Sequence, residues 1–164
     1  MRGDVMRNEE ILLLIGRLNY VWTNTESLLI YILSLFMGGK KDVAVVTFLT
    51  LNTSRARMDL VERLLKLDST QADTRKILAP LMNRMKAAAK VRNKYNHCIY
   101  SFDEHGEIEA TQLMRIADFN DTLRYGKMEM LDEMELRRIE TTVREVVEIN
   151  REILSFLEER KIAM

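Results

Sequence analysis

Apolar side chains at Ile11, Leu14, Leu18, Val21, Leu28, Ile32 and Leu35 recur at alternating steps of three and four, with Thr25 in the one polar slot. That period belongs to an α-helix and predicts one over Asn8–Met37, ended by Gly38-Gly39. A second flank, Ile15, Trp22, Leu29, Leu33 and Phe36, is also apolar. A helix with so wide a face must be buried on more than one side. With one proline and six glycines in 164 residues, little interrupts the chain, which favours long helices over many short strands.

The rest of the chain extends the pattern. Asp42 is a fair N-cap for a second helix reaching about Leu67, with Val45, Leu49, Met58, Val61, Leu64 and Leu65 as its stripe, and Asn52-Thr53-Ser54 loosens its middle. A third segment follows Asp68-Ser69-Thr70 to about Asn96, and Pro80 should kink or divide it, because proline removes a helix hydrogen bond. Ile99–Phe102 and Ile108–Thr111 flank Asp103-Glu104-His105-Gly106 and read as a short β-hairpin. Residues 114–131 fit no single pattern, although Asn120-Asp121 and Gly126 are turn signals. Asp132 with Glu135 makes a capping-box-like start to a last helix, whose stripe runs Leu136, Ile139, Val143, Val146, Ile153 and Leu157 to about Lys161. The expectation is an all-α fold, an antiparallel four-helix bundle with a short β-hairpin between the third and fourth long helices, as one domain over 1–164.

Two further classes can be weighed from composition. Leu28–Met37 is nearly all apolar but is about half the length of a membrane span, and Asn19 to Ser27 interrupt what precedes it. A core helix, with no membrane contact, is the expectation. A single Cys98 cannot form an internal disulfide, and no basic-then-apolar leader opens the chain. Both features fit a cytoplasmic protein.

The net charge is zero but unevenly spread. Between Thr74 and Phe102 there is no Asp or Glu, while Arg75, Lys76, Arg84, Lys86, Lys90, Arg92 and Lys94 all lie there. Residues 103–164 balance this with nine basic against sixteen acidic side chains, which could pair with the basic segment within or between chains. The cationic segment closes on Arg92-Asn93-Lys94-Tyr95-Asn96-His97. On a helix Asn93 and His97 share one face, so the amide could orient the imidazole, and Arg92 and Asn96 share another. A guanidinium suits phosphate oxygens, and a histidine is the side chain best suited to moving a proton near neutrality. Lys90 and Lys94 would add charge for a phosphate, and Ala87-Ala88-Ala89 would let another helix approach closely. Basic residues in a last helical turn are also favoured by the helix dipole alone.

Other residues support this cluster or stand apart from it. Glu26, the one charge between Leu18 and Gly39, could orient Arg92, act as a carboxylate in the chemistry, form a buried salt bridge, or lie at a solvated edge. Tyr100 could donate to a phosphate from the first strand or be a half-buried hairpin aromatic, and His105 beside Gly106 belongs to an exposed turn. His97, Cys98 and His105 do not complete a zinc pattern, so no metal is assigned. The eleven methionines are scattered as core filling, and no glycine-rich phosphate loop or nucleophile elbow occurs, so no cofactor is assigned.

The segment Arg92-Asn93-Lys94-Tyr95-Asn96-His97 resembles the motif of the HEPN superfamily, in which Arg is followed after four to six residues by His, with a polar residue directly after the Arg. Asn96 and Cys98 stand where a small residue and a glycine are common. The resemblance covers most of the chain by helix order, but only this hexapeptide is motif-specific. It implies a helical bundle and metal-independent RNA cleavage at a site assembled across a homodimer. Arg92, His97 and Asn93 would be catalytic there, with Asn96 in support. It equally allows an inactive relative that serves as a dimerisation or partner-binding module. A neutralising protein partner and a toxin–antitoxin or defence role are compatible with either. The neutral total charge argues against general nucleic-acid binding, which usually needs a basic surplus.

Overall fold

The computed structural model describes residues 2–162, with side chains from Arg7 onward except that of Phe119. The long apolar run is divided into α1 (Arg2–Ser27) and α2 (Leu29–Phe36). Serine and threonine cause the division. Thr25 Oγ1 donates to the Val21 carbonyl at 2.8 Å, Ser27 Oγ donates to the Asn24 carbonyl at 2.8 Å, and the Leu28 N–H bonds three residues back to Thr25. Two glycines in left-handed conformation, Gly38 and Gly39, end α2 as expected, and the Gly39 N–H donates to the Ser34 carbonyl at 2.8 Å.

The expected second helix is two, α3 (Lys41–Thr50) and α4 (Ser54–Leu65). Thr53 leaves the helical region and its Oγ1 accepts from the Ala56 N–H, so it caps α4 instead of merely loosening one continuous helix. Asp42 lies in the first turn of α3, after its N-cap Lys40. Pro80 does not divide α5 (Ala72–Asn96). It is exposed, so the carbonyl left without a partner is on the side that water reaches.

The all-α bundle expectation is corrected by residues 98–130. The hairpin exists as β1 (Cys98–Phe102) and β2 (Ile108–Leu113), with a register shift between Ser101 and Phe102. Beyond it run β3 (Ile116–Phe119), β4 (Thr122–Tyr125) and β5 (Met128–Met130), before α6 (Glu133–Glu159). β1, β2 and β5 form one antiparallel sheet in that order, and β3 pairs with β4 alone. The fold is therefore mixed α and β, with six helices and five strands among the described residues. Asn120, at positive φ, makes the turn between β3 and β4 that the Asn120-Asp121 signal marked.

Contacts divide the chain into two units, and both draw on α1, α5 and α6. Tyr20–Ala89 with Arg144–Met164 contains α2, α3 and α4 around a core that includes Trp22, Leu29, Ile32, Met82, Ile149 and Phe156. Met1–Asn19 with Lys90–Val143 contains all five strands, around Ile11, Leu18, Val91, Tyr95, Ile108, Leu131 and Ile139. No described helix is long and apolar enough to cross a membrane.

Candidate functional site

Arg92 stands in the last turns of α5, where Asn93 follows it and Asn96 lies one turn on. The half-buried guanidinium is held by amides. Its Nε donates to Asn19 Oδ1 on α1 at 3.2 Å, and Nη1 donates to Asn93 Oδ1 at 3.1 Å. With the Asn96 carboxamide oxygen facing the guanidinium, it accepts from Nε at 2.8 Å and Nη2 at 3.1 Å, while its nitrogen donates to Asn19 Oδ1 at 3.1 Å. Asn19 is in turn fixed by donation to the Ile15 carbonyl at 3.1 Å. No acidic side chain pairs with Arg92 among the described residues. Neutral acceptors fix the group without cancelling its charge, and one hydrogen on each Nη remains to be given.

His97 follows directly after α5 and is exposed. Its backbone is fixed at both ends, the N–H to the Asn93 carbonyl and the carbonyl to the Met114 N–H, each at 3.1 Å. Its imidazole makes no hydrogen bond among the described residues. Asn93, expected to orient that ring, gives its oxygen to Arg92 instead. The Arg92 cluster is thus organised around the guanidinium, and the imidazole is left open to a ligand.

The rest of the motif is structural anchoring. Lys94, expected on a phosphate, is buried to 11% side-chain exposure between Glu129 of β5 at 2.5 Å and Glu135 of α6 at 2.6 Å. Those two acids raise its pKa against the effect of burial. Glu135 also accepts from the Tyr95 hydroxyl at 2.5 Å and from Arg138 at 3.3 Å. Burial opposes charge on Glu135, yet Lys94 and Tyr95 outweigh it and hold the carboxyl down at about 2. Asp132 caps α6 by accepting from the Glu135 N–H at 2.9 Å, but the Glu135 side chain is spent on this clamp and does not complete the capping box. The last turn of α5 is thereby fixed to the start of α6.

Tyr100 donates to the Tyr95 carbonyl at 2.8 Å, and Cys98 Sγ to the same oxygen at 3.6 Å. Burial raises both pKa values, so phenol and thiol stay protonated near neutrality. Glu26 is 8% exposed and belongs to the other unit, where it accepts from Trp22 Nε1 at 3.0 Å and pairs with Arg57 at 3.1 Å. Both its oxygens are occupied there, as in the salt-bridge reading. Lys90 is exposed on α5. Ala88 and Ala89 are buried in this chain's own core and only Ala87 is exposed, so the alanine run is not free for another helix. His105 is exposed in its turn, 3.6 Å from Glu104. No group of three metal-ligating side chains is gathered among the described residues.

Sequence reasoning missed Asn19, Glu129 and Glu135. Asn19 had one signal, a carboxamide among the polar residues that interrupt the apolar helix; Glu135 was marked only as a cap residue, and Glu129 had no signal beyond the charge surplus of the C-terminal third. No family model matches the chain, and no curated protein or solved structure matches it.

Proposed function

We propose that this chain is a metal-independent endoribonuclease of the HEPN type, acting in the cytoplasm as a homodimer. The observation that carries the reading is the Arg92 guanidinium, fixed by Asn19, Asn93 and Asn96 without a neutralising acid and five residues before an exposed histidine. A cation held this way is pre-organised for an oxyanion, and the remaining Nη hydrogens would meet the non-bridging oxygens of a phosphodiester.

The chemistry is an internal transfer. The ribose 2′-oxygen attacks the adjacent phosphorus, its proton passes to the imidazole of His97, and the bond from phosphorus to the 5′-oxygen breaks. The leaving oxygen takes a proton from a second imidazole. One chain supplies a single suitable histidine, because His105 sits in the turn between β1 and β2 beside Glu104. Two copies related by a two-fold axis would bring two Arg92–His97 pairs to one phosphate. Asn93 and Asn96 act through Arg92 as positioning residues. Tyr100 and Lys94 support the fold around the site and Glu26 supports the other unit, since their polar atoms are already engaged.

Purified protein incubated with mixed RNA tests the reading. Cleavage should persist in EDTA and leave 2′,3′-cyclic phosphate and 5′-hydroxyl ends. Cleavage abolished by EDTA and restored by a divalent ion, or no cleavage by a pure, folded dimer, would reject it. In the second case the partner-binding module remains.

A further inference from the structure

Residues of β1, β2, β3 and β4 and of the link between β2 and β3 form a groove of about 770 Å³, lined chiefly by Ile99, Gln112, Met114, Arg115, Ile116 and Tyr125. Its floor is pinned. The Gly126 N–H donates to the Arg115 carbonyl at 2.8 Å, Gln112 Nε2 donates to the Gly126 carbonyl at 3.1 Å, and the Leu113 N–H to the Lys127 carbonyl at 3.3 Å. Gly126 lies so close to the Leu113 backbone that a Cβ there would collide with it. The groove is tied to the candidate site through the backbone, because the Met114 N–H donates to the His97 carbonyl at 3.1 Å and β1 starts at the next residue.

We infer that this groove is a nucleobase subsite for unpaired RNA, an inference that rests on the ribonuclease reading of Arg92 and His97. The lining combines exposed apolar surface with donors and acceptors suited to a base and its phosphate. Tyr125 is 67% exposed, and Met114, Ile116 and Ile99 are each more than half exposed. An aromatic ring among such side chains is a stacking surface that accepts any base. Gln112 has given its nitrogen to Gly126, which leaves Oε1 to accept from a base N–H. Among the described residues no acid lines the groove and Arg115 has no acidic partner. An apolar peptide or a second copy of this face would bury that guanidinium without an opposing charge, whereas a phosphate supplies one. Arg115 and Arg92 would each meet a phosphate of the bound strand. A base must leave its stack to enter the groove, so a single strand is selected over a duplex.

The test uses the full-length His97→Ala protein and a fluorescein-labelled eight-nucleotide RNA of mixed sequence, read by fluorescence anisotropy. The single strand should bind, and the same strand annealed to its complement should bind at least about tenfold more weakly. Tyr125→Ala should weaken binding about tenfold, Tyr125→Phe should restore most of it, and Arg115→Ala should weaken it several-fold with a shallower salt dependence. Circular dichroism checks that each variant is folded. Absent binding, equal binding of the duplex, or affinity unchanged in Tyr125→Ala and Arg115→Ala would overturn the subsite. So would groove variants that change the sedimenting species and not RNA affinity, since the face would then cover a second copy. The two readings separate on cleavage by protein that keeps His97. Groove-dependent binding without cleavage removes the ribonuclease and keeps the subsite. Cleavage at an unchanged rate in the groove variants removes the subsite and keeps the ribonuclease.

Discussion

Replacing Glu135 by glutamine should weaken the fold in a way that fades as the pH falls. The carboxylate receives Lys94 at 2.6 Å, Tyr95 at 2.5 Å and Arg138 at 3.3 Å, with 17% of its side chain exposed. Its pKa is held at about 2 against an ordinary 4.5. That difference corresponds to about 3 kcal/mol at most, and solvent screening at a partly exposed group brings it to roughly 1–2 kcal/mol. Because the folded pKa lies below the unfolded one, the contribution is complete above about 4.5 and is lost as the pH falls towards about 2. Glu135→Gln also leaves Lys94 with Glu129 alone, so the total deficit near neutrality should be about 2 kcal/mol. Urea unfolding followed by circular dichroism gives the measurement, comparing wild type and variant at pH 7 and pH 3 with unchanged m-values. The difference between the two proteins should shrink by at least half at the lower pH. An equal deficit at both would show that the cost is packing and not charge, and the clamp argument would fail.

Two further outcomes follow from the same geometry. Arg57→Ala leaves buried Glu26 without its cation and should cost about 3 kcal/mol in urea unfolding, yet RNA cleavage per folded molecule should not change; a loss of cleavage with stability intact would return Glu26 to the site. Asn19→Ala removes an acceptor from Arg92 Nε and should reduce cleavage about tenfold while the melting temperature moves by only a few degrees, and full activity in that variant would mean that the amides do not position the guanidinium.

The helices were legible because each buries a stripe whose spacing survives in the sequence. Leu136, Ile139, Val143 and Val146 mark α6, and their apolar period is the cause of its burial. The breaks were harder. Thr25, Ser27 and Thr53 act through single hydroxyl-to-backbone bonds, which leave no periodic trace. β3 and β4 escaped because a strand is recognised by alternation between a buried and an open face, and Thr122 to Tyr125 are exposed throughout. At the site, local spacing placed Arg92, Asn93, Asn96 and His97 together at one helix end but could not assign their bonds. Asn19, 73 residues from Arg92 in sequence, completes the amide cluster. Lys94 looked as available as Lys90 because the acids that bury it come from β5 and α6. The acid-free segment is compensated in part, with Arg84 on Glu145 and Glu152, Lys86 on Asp59 and Glu62, and Lys94 on Glu129 and Glu135. Arg75 donates to backbone carbonyls and Arg92 to side-chain amides, and of these two only Arg92 lies beside the histidine of the motif.

The central claim is that Arg92 and His97 act as one catalytic unit, and single and double alanine variants test it most directly. Dipole compensation at a helix end would cost each variant about 0.3–1 kcal/mol of stability and nothing else. Catalysis predicts that Arg92→Ala and His97→Ala each lower the RNA cleavage rate by about 10²-fold or more, with the melting temperature nearly unchanged in His97→Ala and lower by only a few degrees in Arg92→Ala, which also loses its amide hydrogen bonds. The double variant should be little worse than the poorer single, because residues that act together are not additive. Cleavage by His97→Ala equal to wild type would contradict the account.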